Sequence, residues 1–228
     1  MDKTLKNIKA VIFDLDGTLL YTLQDIMDAL NETLALYQYR PYSLEEGKYL
    51  IGNGARKLLE RALAPYNVSE DEFNHIFSIY KVNYTKHLKN KTQAYPGMIE
   101  TICMLKCMDI DVFCNTNKPH ADAVECLKYY FGADTFTDVI GQKEGIPVKP
   151  APDGVYSILN KYHLKGDHVI YCGDSNVDME TAMNSGCIPV GALWGYRTQE
   201  ELVKAGAHVL ISKPTDLLDL INNEVSNE

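Results

Sequence analysis

Lys9-Ala10-Val11-Ile12-Phe13-Asp14-Leu15-Asp16-Gly17-Thr18 decides how the rest of the chain is read. Its first half is an apolar run without polar alternation, the pattern of a β-strand covered on both faces. The run ends on two acids one residue apart, followed by Gly-Thr. Open parallel sheets bind ligands beyond the carboxyl ends of their strands, so both carboxylates are placed to project into a cleft. A strand followed by an Asp-Gly turn is the plainer reading. It leaves unexplained the crowding of two like charges, a penalty that a metal ion and a lysine would remove.

Four further runs share this character: Ile110 to Cys114, Asp138 to Ile140, His168 to Cys172 and Ile188 to Leu193. Helical patterns alternate with them at Met98 to Met108, His120 to Phe131, Gly154 to Tyr162 and Val177 to Ser185. Such alternation predicts an α/β fold, a Rossmann-like parallel sheet with helices on both faces. From about Leu20 to Thr92 the alternation stops. Thr22-x-x-Asp25, Ser43-x-x-Glu46 and Ser69-x-x-Glu72 fit capping boxes there, and Arg40-Pro41 and Ala64-Pro65 break the helices apart. Ile26, Leu30 and Leu34 mark one apolar helix face, and Leu58, Leu59 and Leu63 another. The expectation is an all-helical cap of residues 20–92 inserted into an α/β core of residues 1–19 and 93–228, with a frayed polar tail from Asn222.

Composition narrows the function. Lys and Arg number 22 against 31 Asp and Glu, a formal charge of −9, which argues against a nucleic-acid partner, since that requires clustered basic residues. No signal peptide or membrane span fits the start, where Asp2, Lys3, Lys6 and Lys9 precede an apolar run that stops at Asp14. The six cysteines include no C-x-x-C pair, and Cys103 and Cys107, four apart on a helix, lack the company of a metal site. Reduced thiols in a cytoplasmic protein, monomer or homodimer, are expected.

Three more segments carry chemistry. Val112 to Lys118 is a strand running into Asn115-Thr116-Asn117, where the Thr116 hydroxyl and the Asn117 N–H would face an anion; an ordinary helix cap also fits. Lys149-Pro150-Ala151-Pro152 is a lysine on a backbone stiffened by two prolines, and in isolation also reads as a surface loop. Gly173-Asp174-Ser175-Asn176-Val177-Asp178 sets one acid at a strand end and another about a helical turn behind it. Asp14, Asp16 and Asp174 offer oxygen ligands to a hard divalent cation, and Mg²⁺ leaves room for a phosphate. Acids, a lysine and hydroxyl donors around such a cation describe phosphoryl transfer. No G-x-S-x-G elbow or G-x-G-x-x-G loop points elsewhere.

In these four motifs, in this order, the chain resembles the haloacid dehalogenase superfamily, in particular its phosphatases with a helical cap after the first strand. Within it the nearest likeness is to phosphoglycolate phosphatases, through Asp25-Ile26, Ala29-Leu30-Asn31, Gly52-Asn53-Gly54-Ala55-Arg56, Thr116-Asn117-Lys118-Pro119 and Trp194-Gly195-Tyr196. The resemblance implies a small phosphorylated metabolite as substrate and a nucleophile at Asp14. It makes Asp16 the general acid and base, and sets Lys149, Thr116 and the Asn117 N–H around the phosphoryl group. Mg²⁺ is expected on Asp14, the main-chain carbonyl of Asp16 and Asp174, with Asp178 orienting Lys149 or a metal-bound water. An acid at position 16 counts against halide displacement. Tyr21 departs from the usual Asp at the junction of core and cap. In the cap, Gly54 and Arg56 are expected at the substrate, with Arg56 neutralising a carboxylate; a solvated Arg56 at a helix start is the alternative. A sugar-phosphate mutase, pyrophosphatase or nucleotidase could share this core, and a phospholigand-binding module without turnover is a further reading.

Overall fold

The computed structural model describes Leu5 and residues 7–222. Its centre is a six-stranded parallel sheet of β1 (Ala10–Phe13), β4 (Asp111–Pro119), β5 (Asp138–Gln142), β6 (Val169–Gly173), β7 (Ile188–Ala192) and β8 (Val209–Ile211), in the order β5-β4-β1-β6-β7-β8. The unalternated runs have their reason here, because both faces are covered. Val11 and Phe13 point into one apolar cluster with α5 (Met98–Cys107), α6 (His120–Phe131) and α10 (Asp216–Asn222). Ala10 and Ile12 point into a second with α7 (Asp153–Lys161) and α8 (Asn176–Ser185). The five expected strands are present, and β4 runs five residues beyond Cys114. The sixth, β8, and α9 (Gln199–Lys204) carry too short a pattern to be read from sequence. Asn222 closes α10 instead of starting a tail; the remainder of the expected tail lies outside the described residues.

A second, two-stranded antiparallel sheet joins β2 (Leu20–Tyr21) to β3 (Gln93–Ala94). Between them lie α1 (Leu23–Ala35), α2 (Leu44–Leu50), α3 (Gly54–Leu63) and α4 (Glu70–His87). Two-residue strands have no legible periodicity, and the sequence reading misses both. The apolar positions of α1 and α3 are buried, in the same cluster that fills one face of the large sheet.

One capping expectation is overturned. Ser43 and Glu46 form the expected box, and Ser69 accepts from the Glu72 N–H. Thr22 makes no such bond. Instead the Tyr196 hydroxyl accepts from the N–H groups of Thr22 and Leu23, at 3.1 and 3.2 Å. Asp25 is thereby released to bind elsewhere. Its buried carboxylate accepts from the N–H of Lys91 and from the N–H and hydroxyl of Thr92, at 2.8 to 3.0 Å. The start of α1 is thus clamped to the chain entering β3. Tyr21 packs edge-on against Tyr95 and Tyr196 at the same junction.

Candidate active site

Register brings three of the motifs together. Phe13 on β1 pairs with Cys114 on β4 and with Cys172 on β6, so the residues that follow each of them emerge side by side. The fourth motif arrives from the loop before α7, where the Lys149 N–H donates to Asn117 Oδ1 at 2.8 Å and the Asn117 amide donates to the Lys149 carbonyl at 3.2 Å. Lys149 Nζ then reaches Asp14 Oδ1 and Asp178 Oδ1, both at 2.6 Å, in a buried site.

Three buried carboxylates, of Asp14, Asp174 and Asp178, have oxygens within 4.8 Å of one another. Each is held. Asp174 accepts from the Thr18 hydroxyl at 3.1 Å and the Tyr196 N–H at 2.8 Å, and Asp178 from the N–H and hydroxyl of Ser175 at 3.0 and 2.6 Å. Gly17, at φ +100°, lets the loop pass so close to Asp174 that a methyl group there would collide with its carboxylate. Lys149 cannot balance three acids. Burial and the Asp178 charge push Asp14 well above the usual carboxylate range despite the lysine, and the same two causes raise Asp174 to about 7. An all-oxygen donor set with surplus buried negative charge fits a hard divalent cation such as Mg²⁺.

Asp16 stands apart from this cluster. Its carboxylate accepts from Lys118 Nζ at 2.9 Å, which leaves its main-chain carbonyl as the metal donor that the resemblance assigns to it. The Lys118 ammonium also donates to the Tyr84 hydroxyl of α4 in a very short contact. Burial works against the Lys118 charge, yet Asp16 and Tyr84 hold it above the ordinary lysine range; burial keeps the Tyr84 hydroxyl protonated.

The expected residues divide by place. Asp14, Asp16, Thr116, Asn117, Lys149, Asp174 and Gly54 line one cleft, and Asp178 lies behind it on Lys149. Thr116 Oγ1 accepts from the Lys118 N–H at 3.2 Å and keeps its own hydrogen to donate. Gly54, at φ +84°, packs against the Asn117 carbonyl, and Asn117 Nδ2 donates to the Gly52 carbonyl at 3.2 Å, so the loop between α2 and α3 seats on the end of β4.

Arg56 is not in the cleft. Its guanidinium pairs with Glu60 at 3.2 Å and Glu70 at 2.7 Å and lies over the Phe73 ring, on a side chain 45% exposed. The cause is helical spacing: Glu60 is one turn on in α3, and the start of α4 supplies Glu70. Sequence reasoning missed the groups that occupy the cleft in its place. Lys118, Tyr80, Tyr84, Tyr196 and Arg197 all line it. Arg197 donates to the main-chain carbonyls of Lys48 and Ile51, joining the segment after β7 to the end of α2. For Lys118 the signal was its place two residues after Thr116 on the same strand face; for Tyr80 and Tyr84 it was their spacing of four on α4.

The sequence and the fold match those of known proteins. The family model of haloacid dehalogenase-like hydrolases matches residues 11–192, and the chain belongs to that family, as a hydrolase with the machinery of a phosphoric monoester hydrolase. A phosphoglycolate phosphatase of Rhodospirillum rubrum is 32% identical over 205 residues, 87% of this chain and 85% of that protein. One from Vibrio parahaemolyticus is 28% identical over 96% of this chain and 98% of its own length. The crystal structure of a predicted phosphoglycolate phosphatase from Haemophilus somnus 129pt superposes with a TM-score of 0.88 at 28% identity, over 94% of this chain and 98% of that one.

Proposed function

We propose that this hydrolase is an Mg²⁺-dependent phosphatase acting on 2-phosphoglycolate through an aspartyl phosphate on Asp14. The observation that carries the reading is the buried Asp14–Lys149–Asp178 array, which fixes one Asp14 oxygen on an ammonium and leaves the other to attack. Asp14, Asp174 and the Asp16 carbonyl would hold the ion. Bound Mg²⁺ supplies neutralisation of the phosphoryl oxygens and the carboxylate that must approach them.

Asp14 attacks phosphorus while the bond to the leaving alkoxide breaks, and Asp16 delivers a proton to that oxygen. Asp16 then takes a proton from the water that hydrolyses the acyl phosphate. Lys149, the Thr116 hydroxyl and the Asn117 N–H stabilise the transferring group. Residues 20–92 act as a cap over the reaction, with Ile26, Leu58, Tyr80 and Tyr84 keeping bulk water away. The names of the relatives support the choice of substrate. Among the described residues no helix is long and apolar enough to cross a membrane. A phosphate-release assay over a panel of phosphate esters tests the proposal. It expects 2-phosphoglycolate to have the highest kcat/KM and chelator to stop the reaction. Another ester ahead by tenfold, an isomerised product, or full turnover in metal-free buffer would overturn it.

A further inference from the structure

Lys118 is a buried ammonium lining the cleft, bonded to Asp16 and Tyr84 and not to the Asp14, Asp174 and Asp178 cluster. Among the described residues, Asp16 is its one carboxylate partner within ion-pair distance, and the Tyr84 hydroxyl is its other bond. An ammonium has three hydrogens, so one is left to donate. The Tyr84 hydroxyl accepts from Lys118 and retains its own hydrogen. Two donors from different elements, a strand end and a cap helix, therefore converge at one point of the cleft. The remaining basic groups nearby are engaged: Lys149 lies between two acids, Arg197 on two cap carbonyls, and Arg56 is outside.

We propose that Lys118, with the Tyr84 hydroxyl, is the specificity site that selects phosphate esters whose leaving group carries a carboxylate beside the ester carbon. The inference rests on the 2-phosphoglycolate reading and names the residues that would make it true. In that reading Asp16 meets the leaving oxygen. The carboxylate carbon of the glycolate group is two bonds from that oxygen, and Lys118 Nζ is 2.9 Å from Asp16. A carboxylate there falls within reach of Lys118. Ile26, Leu58 and the Tyr80 ring line the same cleft, and where such groups keep water away an ion pair with Lys118 is poorly screened. An ester with a methyl group in the same position gains nothing from the pair.

The experiment compares kcat/KM for 2-phosphoglycolate and ethyl phosphate, which replaces the carboxylate by methyl, in the native protein and in Lys118→Met, Lys118→Arg and Tyr84→Phe. The native protein should prefer 2-phosphoglycolate. Lys118→Met should lower that preference by about 10- to 100-fold, the size of a charge-assisted hydrogen bond, and Tyr84→Phe by about 3- to 10-fold. Lys118→Arg should restore part of it. Equal losses on both esters would make Lys118 a support for Asp16 only and overturn the assignment. A native protein with no preference would fell the substrate reading itself, and the assignment with it, before any variant is compared. Should Lys118→Met fail to fold, the preference in Tyr84→Phe and Lys118→Arg decides, and a native ratio in both overturns the proposal.

Discussion

At the ends of β1, β4 and β6 the charges are buried, crowded and out of balance, with Asp14, Asp174 and Asp178 gathered on one lysine. On α2, α3 and the start of α4 charges are more numerous but sit largely in water and in pairs: Glu45 with Lys48, Glu60 with Lys57, and Arg56 with both Glu60 and Glu70. The first arrangement costs folding energy, a cost that a bound divalent cation would offset. The second is neutral within the small worth of exposed ion pairs. Charge by itself therefore does not mark function here; desolvated, uncompensated charge does.

The sharpest way to break this contrast is at Asp14. Asp14→Asn should abolish phosphate release, because an amide is a poor nucleophile, whereas Asp16→Ala should slow it by about 10² to 10⁴-fold, the range for losing a general acid. Single-turnover measurements on purified variants check both, and residual turnover near native in Asp14→Asn would remove the nucleophile.

Next in size is the clamp between α1 and the chain entering β3. Asp25 is buried and accepts three donors from Lys91 and Thr92, so Asp25→Ala strands them. Chemical denaturation should find a loss of about 2 to 4 kcal/mol, as expected when buried donors lose a charged acceptor. A change below about 0.5 kcal/mol would place this clamp with the surface pairs.

Proton release on metal binding tests the crowding of the acids. Asp174 is raised from 3.8 to about 7, so in the metal-free protein it holds a proton that the unfolded chain lacks between about pH 4 and pH 7. The native state then binds more protons than the unfolded one, and metal-free stability should fall as pH rises through that window. Mg²⁺ must displace the proton, so its affinity should climb by up to about tenfold per pH unit below about 7. Calorimetry in buffers of different ionisation heat measures the protons released, and zero release at about pH 6 would contradict the burial argument.

The smallest effect belongs to Arg56. The sequence leaves it either at the substrate or solvated at a helix start, and the fold places it on Glu60 and Glu70 at the surface. Arg56→Ala should leave KM for 2-phosphoglycolate within about twofold and change stability by no more than about 1 kcal/mol. A tenfold rise in KM confined to esters bearing a carboxylate would return Arg56 to the cleft.

Asp14, Thr116, Lys149 and Asp174 were legible because each follows an apolar run or sits at a proline-stiffened turn, and a strand buried on both faces leaves few positions where a polar residue can stand. The parallel α/β order follows from the same patterning, which is local along the chain. Tertiary structure decided the rest. Whether Thr22 or Tyr196 caps α1, whether Asp25 serves its helix or the chain 66 residues away, and whether Arg56, Arg197 or Lys118 supplies the cation in the cleft all depend on partners distant in sequence. A local pattern states what a side chain can do. Long side chains with several donors have several possible partners, and only packing, by excluding water from one of them, determines which is kept.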